Sequence, residues 1–332
     1  MKVRVVDVHW HHVPTAFAQA VLQGRVPVAG RVRTDPPRGP RVELHNGFVQ
    51  PLNPELTDDA RIEGDLRAAG VDVALASVAP PLSHLDAPPE VAVAVSRAIN
   101  DAFAELAGEL PGRLLPLANL PLQDPSAALA ELARAVRELG FRGVALGSNV
   151  AGRNLGDEVF FPFWERVREE DLFVFVHGLS PLGRERLREH ELSNFVGLPI
   201  DTAVAVASMI FGGVFRRLRG LKVCFSHGGG AFPCLLGRWD HGYAARLKPR
   251  GLDLDPPSRY AAEIYVDSLT HDPVTLRYLV ERLGADHVLL GSDRPFDMGE
   301  PDPVGAVKAA IAAPEAVQAI LGGTACRLLG LT

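Results

Sequence analysis

The sequence has few cysteines, and those present form no recognisable pair. Its 3 cysteines, Cys224, Cys234 and Cys326, are an odd number and include no Cys-x-x-Cys motif. A disulfide framework and a cysteine-based zinc site are therefore not expected. We expect reduced, mostly buried thiols, which are typical of a cytoplasmic protein.

Three further features are lacking: basic charge, a long apolar run and a leader segment. The formal net charge of -6 offers no basic surface for nucleic acid. No apolar stretch approaches the roughly 18 to 20 uncharged residues that a membrane helix needs. The chain begins Met1-Lys-Val-Arg and enters a predicted strand at once. Neither secretion nor membrane association is therefore expected.

The composition is that of a soluble globular protein with a substantial core. Hydrophobic residues make up 47% and charged residues 22% of the 332 residues. Length alone allows one large domain or two ordinary ones. We expect a single domain over residues 1–332, because one alternating pattern runs through nearly the whole chain.

That pattern is an alternation of short β-branched runs with longer amphipathic runs. The predicted strands are Val3–His9, Val71–Val78, Leu114–Leu120, Gly143–Gly147, Phe173–His177, Lys222–His227, Glu263–Asp267 and His287–Asp293. The predicted helices are Asp58–Ala69, Pro88–Leu110, Pro125–Leu139, Asp157–Glu170, Asp201–Arg217, Ala231–Ala245, Pro273–Leu283 and Pro303–Ala312. Eight such repeats favour a closed (β/α)8 TIM barrel over an open doubly wound sheet. No Gly-x-Gly-x-x-Gly follows the first strand, which argues against a dinucleotide site.

Two segments depart from the alternation. Residues 18–53 are rich in Pro, Gly and Arg, and we expect an insertion after the first strand, with a small β-hairpin arching over the barrel mouth. The alternative is a flexible surface excursion. The second segment, Gly178 to Pro199, carries several charged residues within Arg184–His190, for which we expect a solvated face.

Histidines and one aspartate fall at the ends of predicted strands. His9 and His11 end the first strand, and their i, i+2 spacing points both rings to one face. His177, His227 and Asp293 end the fifth, sixth and eighth strands. Catalytic groups of such barrels lie at these C-terminal strand ends, and neutral imidazole suits zinc and similar ions. The alternative for His9 and His11 alone is one core histidine and one turn cap.

These residues resemble the amidohydrolase superfamily (amidohydrolase-2 type). The resemblance rests on His9-Trp-His11, on His177, on His227 followed by Gly228-Gly-Gly230, and on Leu290-Gly-Ser-Asp293-x-Pro-Phe296. Further motifs are similar to its decarboxylase branch, which includes α-amino-β-carboxymuconate-ε-semialdehyde decarboxylase. They are Pro121-Leu-Gln-Asp124, Leu235-Leu-Gly-Arg238 and Tyr265-Val-Asp-Ser268.

The resemblance implies one divalent metal ion, usually zinc, held by His9, His11, His177 and Asp293, with no organic cofactor. It implies that His227 acts as an acid/base group beside the metal-bound water and that Asp293 relays protons. Two-metal members carry a lysine or glutamate after the fourth strand, where this chain has Ser148, so a mononuclear site is expected. The counterpart of Arg238 reaches the neighbouring site of a homodimer in this branch.

The sequence also departs from the branch at positions that bind substrate. The arginine that grips the substrate carboxylate aligns near Val49, and the tryptophan after the fifth-strand histidine is missing. The candidate substrate contacts are therefore Arg238, His12, His271 and Arg294. For each of the last three, the alternative is a purely structural role. Asp267, at the end of the seventh strand, is a further candidate for orienting a ligand.

The function predicted from these residues is that of a metal-dependent non-oxidative decarboxylase, a carboxy-lyase that uses a metal-bound water and His227. Its substrate would be a small aromatic or unsaturated carboxylic acid, salicylate-like or muconate-like. The alternatives are a metal-dependent hydrolase or hydratase, which uses the same activated water, and a non-catalytic barrel. Zinc is the expected ion and manganese is the alternative, because nitrogen and oxygen ligands suit both.

Overall fold

Eight parallel strands form a closed barrel in the computed structural model, which describes residues 4–331. They are β1 (Val6–His11), β2 (Val73–Ser77), β3 (Leu114–Pro116), β4 (Gly143–Gly147), β5 (Phe173–His177), β6 (Lys222–Phe225), β7 (Ile264–Asp267) and β8 (Val288–Leu289). β1 to β3 pair in order, as do β4 to β8. Parallel bridges Trp10–Arg294 and Ala118–Val144 join the two groups and close the barrel. The predicted (β/α)8 architecture is confirmed.

Each strand is followed by a helix that covers the barrel. These helices are α1 (Ile62–Ala68), α2 (Pro89–Glu109), α3 (Pro125–Arg137), α4 (Phe161–Glu169), α5 (Leu198–Phe211), α6 (Phe232–Gly242), α7 (Pro273–Leu283) and α8 (Pro303–Ala310). Shorter helices lie at Thr15–Leu22, Pro54–Thr57, Val214–Arg217, Pro314–Gln318 and Thr324–Leu329. The predicted Asp-Pro starts are correct, because Asp124, Asp272 and Asp302 each accept backbone N–H bonds at the helix that follows.

The strand sequences are continuous apolar runs because helices cover the strands on the outside and side chains fill the barrel inside. All 5 residues of β5, Phe173-Val-Phe-Val-His, are buried. The first predicted strand is shifted: it was expected from Val3, which lies outside the described residues, and the observed strand runs to His11. Its pairing with β2 is irregular between Asp7 and Trp10, a type of irregularity that re-aims side chains near functional sites.

The predicted helix Asp201–Arg217 has different bounds in the structure. A π-helical turn at Ser193–Gly197 leads into α5, which ends before Gly212 and Gly213. Gly213 has φ 78°, so the chain leaves the helix there and Val214–Arg217 forms a separate turn. Ser193–Phe211 is long and apolar enough to cross a membrane by length and composition, with 44% of that window buried. Val206, Met209 and Ile210 of α5 lie in the hydrophobic core.

Residues 18–53 contain three antiparallel strands instead of the two of a hairpin. They are Gly30–Arg33, Arg41–Leu44 and Val49–Pro51, with the middle strand paired on both sides. The Arg41 guanidinium, only 7% exposed, donates to Asp35 and to Glu43. The third strand adds Gln50 to the wall of the cavity at the C-terminal end of the barrel, and Phe48 just before it lines the same wall.

Candidate metal centre and active site

Four buried side chains from three barrel strands converge at the C-terminal end of the barrel. His9 and His11 come from β1, His177 ends β5 and Asp293 follows β8. One ligand atom from each lies within 4.8 Å of every other. Oδ1 of Asp293 is 3.0 Å from Nε2 of His9 and 3.1 Å from Nε2 of His11. The structure thus brings together the four side chains that the resemblance implied as ligands.

The hydrogen bonds around the three rings leave their Nε2 atoms free to face one another. Nδ1 of His9 lies 2.6 Å from Oδ2 of Asp267, and Nδ1 of His177 donates to the carbonyl of Gly178 at 2.7 Å. Nδ1 of His11 is 3.0 Å from Oγ of Ser77. A proton on each Nδ1 leaves a lone pair on each Nε2, which is the arrangement of imidazole ligands held by outer partners.

Two atoms of this cluster lack a hydrogen bond although they are buried. They are Nε2 of His177 and Oδ1 of Asp293, judged among residues 4–331. Buried polar atoms are almost always paired, and a cation between these two atoms would satisfy both. Three neutral nitrogens and one carboxylate are four donors, so they leave a coordination position open on a five- or six-coordinate ion. The donor set therefore fits one divalent cation.

Burial and charge favour the ligand forms of His11, His177 and Asp293, whereas His9 holds a proton in the absence of a cation. Burial lowers the pKa of His11, and burial together with the charges of His227 and His9 lowers the pKa of His177 well below its usual value. Burial alone would raise the pKa of Asp293, but the charge of His9 and the close approach of the His11 and His227 rings hold it well below its usual range. Burial opposes charge on His9 too, yet Asp293 and Asp267 raise its pKa to about 10. A cation would replace that proton at Nε2.

No second metal position is built at the end of β4. Oγ of Ser148 donates to the carbonyl of Leu179 at 3.0 Å and also contacts the carboxylate of Asp201. Within the described part of the chain, the four-donor cluster includes no residue from this strand end. This arrangement is consistent with the predicted mononuclear site.

Asp267 connects the donor cluster to the loop after β6. Its buried carboxylate contacts Nδ1 of His9 and accepts the backbone N–H of His227 at 3.0 Å and that of Gly228 at 2.7 Å. A Cβ at Gly291 would lie 2.7 Å from Cβ of Asp267 and 2.9 Å from Cβ of His9, so glycine leaves room for this pair. Asp267 thus orients both a donor ring and the backbone of His227.

Replacing Asp267 with asparagine is expected to weaken metal binding about 10- to 100-fold. The asparagine amide would donate to Nδ1 of His9 and move the ring proton to Nε2, where it blocks the lone pair. Competition with a chromophoric chelator measures the affinity. Asp272→Asn is the control, because Asp272 caps α7 on the surface, asparagine also caps helices, and metal affinity should stay unchanged. Equal metal affinity for wild type and Asp267→Asn would contradict this role.

His227 lies beside the donor cluster and faces the cavity. Its Nε2 is 3.7 Å from Oδ2 of Asp293, and its ring centre is 4.9 Å from that of His177. Its backbone has φ 55°, a left-handed conformation that the Asp267 contacts stabilise. The side chain is 19% exposed, more than any of the four donors. A substrate in the cavity would therefore reach this imidazole without displacing a donor.

The cavity at the barrel mouth has two compartments that share a boundary. The inner compartment, about 190 Å³, reaches His177, His227 and Asp293 and is walled by Phe48, Gln50 and Phe296, among others. The outer compartment, about 290 Å³, lies between the start of α6 and the start of α7. Neither compartment is lined by a lysine or an arginine of the described chain.

Of the four candidate substrate contacts, His271 lines the cavity and the other three do not. His271 is exposed and lines both compartments. Arg238 is exposed on α6 and lines neither compartment within its own chain. His12 and Arg294 do not line the cavity, contrary to expectation. His12 is buried against Asp59 with Nε2 2.7 Å from Oδ1, and the Arg294 guanidinium lies over the Trp10 ring at 5.6 Å.

Replacing Asp59 with alanine is expected to lower the free energy of unfolding by about 1–3 kcal/mol, because a buried polar group loses its partner. The change leaves the 3% exposed His12 ring unpaired and removes the acceptor of the Thr15 N–H. Urea unfolding of the metal-loaded protein measures the loss. The KM of the substrate should stay unchanged. A tenfold higher KM at an unchanged free energy of unfolding would contradict this structural role and would show that His12 contacts the substrate.

Sequence reasoning missed cavity residues in irregular segments. Phe48 and Gln50 line the inner compartment, whereas Val49, where the family arginine aligns, is 52% exposed. The two-residue spacing of Phe48 and Gln50 was the available signal, since alternate strand residues share a face. Asn194, which lines both compartments, lies in a π-helical turn where no periodicity marks it.

An eight-stranded parallel barrel with one cluster of cation donors at its C-terminal end defines the class of mononuclear metal-dependent TIM-barrel proteins. Within that class the chain belongs to the amidohydrolase family, whose model, described as "Amidohydrolase", matches residues 6–331. The resemblance inferred from the sequence is therefore confirmed.

Comparison with known proteins shows which members of the amidohydrolase family this chain is similar to. The chain is 35% identical over 332 residues to a 2-amino-3-carboxymuconate-6-semialdehyde decarboxylase of Dictyostelium discoideum, covering 98% of this chain and 91% of the relative. It is 31% identical to a gamma-resorcylate decarboxylase of Rhodococcus jostii, covering 63% and 68%. The fold matches a dihydroxybenzoic acid decarboxylase from Polaromonas sp., solved with manganese and 2-nitroresorcinol, with a TM-score of 0.80 at 24% identity, covering 99% and 97%.

Proposed function

We propose that the protein is a metal-dependent carboxy-lyase that removes carbon dioxide, without oxidation, from a small aromatic or unsaturated carboxylic acid. The observation that carries the proposal is the position of His227, which faces the same cavity as the donors His177 and Asp293 without belonging to the four-donor cluster. The names of the relatives at 35% and 31% identity support the same reaction.

The reaction needs positive charge beside the substrate carboxylate. It also needs a proton donor for the carbon atom from which carbon dioxide leaves. A divalent cation at His9, His11, His177 and Asp293 would supply the positive charge. Phe48 and Phe296 offer apolar walls for a planar acid. When the C–CO2 bond breaks, its electron pair stays on carbon and carbon takes a proton from His227, so the products are R–H and carbon dioxide. Asp293, 3.7 Å from His227 Nε2, would help to return a proton to that imidazole.

Carbon dioxide release is the test of this proposal. Acids labelled with 13C in the carboxyl group, salicylate-like and muconate-like, are incubated with metal-loaded protein in H2 18O. We expect 13CO2 in the headspace and no 18O in the remaining organic product. Incorporation of 18O without 13CO2 would make the protein a hydrolase or hydratase and would contradict the proposal. The same assay on apoprotein reloaded with zinc or manganese tests our preference for zinc, which the donor chemistry leaves open.

We also infer a homodimer in which Arg238 serves the partner's site. The support is chemical: no lysine or arginine of residues 4–331 lines the cavity, and Arg238 is exposed without an ion pair to any of these residues. Mixing inactive Arg238→Ala with inactive His227→Ala subunits should restore about a quarter of wild-type activity, since half of the dimers would hold one complete site. No restoration in re-equilibrated mixtures would contradict action in trans.

A further inference from the structure

The outer compartment continues from the donor site and has a wall that its own backbone fixes. Asn194, Leu198, His227, His271 and Met298 border both compartments, so one ligand can occupy both. The run Gly228 to Gly230, with φ between 59° and 75°, forms part of the wall and leads into α6. A Cβ on Gly230 would lie 2.0 Å from the carbonyl oxygen of Pro199, so the start of α6 packs directly on α5.

The chemistry of the outer wall selects an uncharged group. No aspartate, glutamate, lysine or arginine of the described chain lines it. Phe195, Leu269, Tyr278 and Leu279 provide an apolar surface, and the hydroxyl of Tyr278 is engaged with the carbonyl of Pro233 at 3.0 Å. A second carboxylate placed here would lose hydration without gaining an ion pair to a lysine or arginine of its own chain, whereas an alkyl or aryl group would lose only unfavourable contact with water.

We propose that the outer compartment binds an apolar extension of the substrate. The preferred acid would be a monocarboxylate that places its carboxylate at the four donors and an alkyl or aryl group past His227 and His271. This inference rests on the proposed function for the position of the carboxylate. It goes beyond it by naming the substrate class: acids with one charged end and one uncharged, apolar end.

The inference is tested with two matched acids, one bare and one carrying a butyl group remote from the carboxylate. Each methylene buried in the outer compartment should lower KM about three- to fourfold. Thr275→Trp should fill the compartment, because Thr275 lines it from the first turn of α7. Its neighbour Val274, 62% exposed and outside the lining, provides the control Val274→Trp. We expect Thr275→Trp to raise KM at least tenfold for the butyl acid and less than about twofold for the bare acid, with Val274→Trp changing neither.

Protection of Cys234 gives a second measurement that does not require turnover. Cys234 is exposed and lines the outer compartment, whereas Cys224 is buried. Alkylation by N-ethylmaleimide, followed by peptide mapping, should slow at Cys234 when the butyl acid is bound and stay unchanged with the bare acid. The rate at Cys326, which lies outside the compartment, is the internal control.

The outcomes separate the two proposals. If bare acids release carbon dioxide but the butyl group changes neither KM nor the alkylation of Cys234, the outer compartment is not a substrate site and the proposed function stands. If the butyl acid protects Cys234 but no acid releases carbon dioxide, the binding inference stands and the proposed function fails. Equal effects of Thr275→Trp on both acids would also overturn the inference.

Discussion

Replacing His227 with alanine is expected to reduce the turnover number about 100-fold or more, the usual scale for loss of an acid/base group. Metal content should stay at the wild-type level, because His227 is outside the four-donor cluster. We expect this loss because the imidazole faces the cavity, 3.7 Å from the Asp293 carboxylate, and is more exposed than any of the four donors. Steady-state kinetics with metal analysis of the same preparation measures both quantities.

His271→Ala is the matched control for this experiment. His271 lines the same two compartments and also has a left-handed backbone, with φ 55°, but it lies outside the donor cluster and makes no ion pair with Asp293 among residues 4–331. We expect its loss to affect KM more than turnover. Unchanged turnover in His227→Ala would remove His227 from the reaction. Loss of metal from His227→Ala would instead show that it is a ligand.

Replacing Asp293 with alanine is expected to abolish both metal retention and turnover. Asp293 is the one carboxylate among the four donors, and its Oδ2 lies 3.7 Å from Nε2 of the His227 ring. Its loss removes the negative charge that offsets a divalent cation and leaves three buried histidines without that partner. We expect a larger fall in turnover than for His227→Ala, because the acid/base step and the cation are both lost.

The isosteric variant Asp293→Asn separates the two roles of this residue. The amide keeps an oxygen for a cation but carries no charge and cannot relay a proton. At saturating metal concentration, we expect Asp293→Asn to bind metal again but to stay inactive. Asp293→Ala should recover neither metal binding nor activity. Metal content by mass spectrometry and turnover at several metal concentrations test this difference. Full activity of Asp293→Asn at saturating metal would contradict a proton role for Asp293.

The strands and helices of the barrel were predictable because their patterns are local. β4, β5 and α7 have the predicted bounds, since a buried parallel strand reads as an unbroken apolar run and an Asp-Pro pair marks a helix start. Local patterns were less informative where short strands and tight turns carry several prolines and glycines. The third strand of residues 18–53, Val49–Pro51, has only 3 residues, and the helix Thr15–Leu22 preceding this sheet was not predicted.

The candidate site was predictable where strand ends determine position. His9, His11, His177 and Asp293 meet because the C-terminal ends of parallel barrel strands share one rim. His12 and Arg294 failed as cavity residues because their contacts depend on partners distant in sequence. Asp59 lies 47 residues after His12, and Trp10 lies far before Arg294. The roles of the site residues, the homodimer and the cytoplasmic location stay predictions.

Anomalous scattering from a crystal of the manganese-loaded protein tests the central claim most directly. The account predicts one ion per chain at the C-terminal end of the barrel. Its ligands should be Nε2 of His9, His11 and His177 and a carboxylate oxygen of Asp293, each within about 2.0–2.3 Å of the ion. An ion bound elsewhere, or no ion at these four side chains in the loaded crystal, would contradict it.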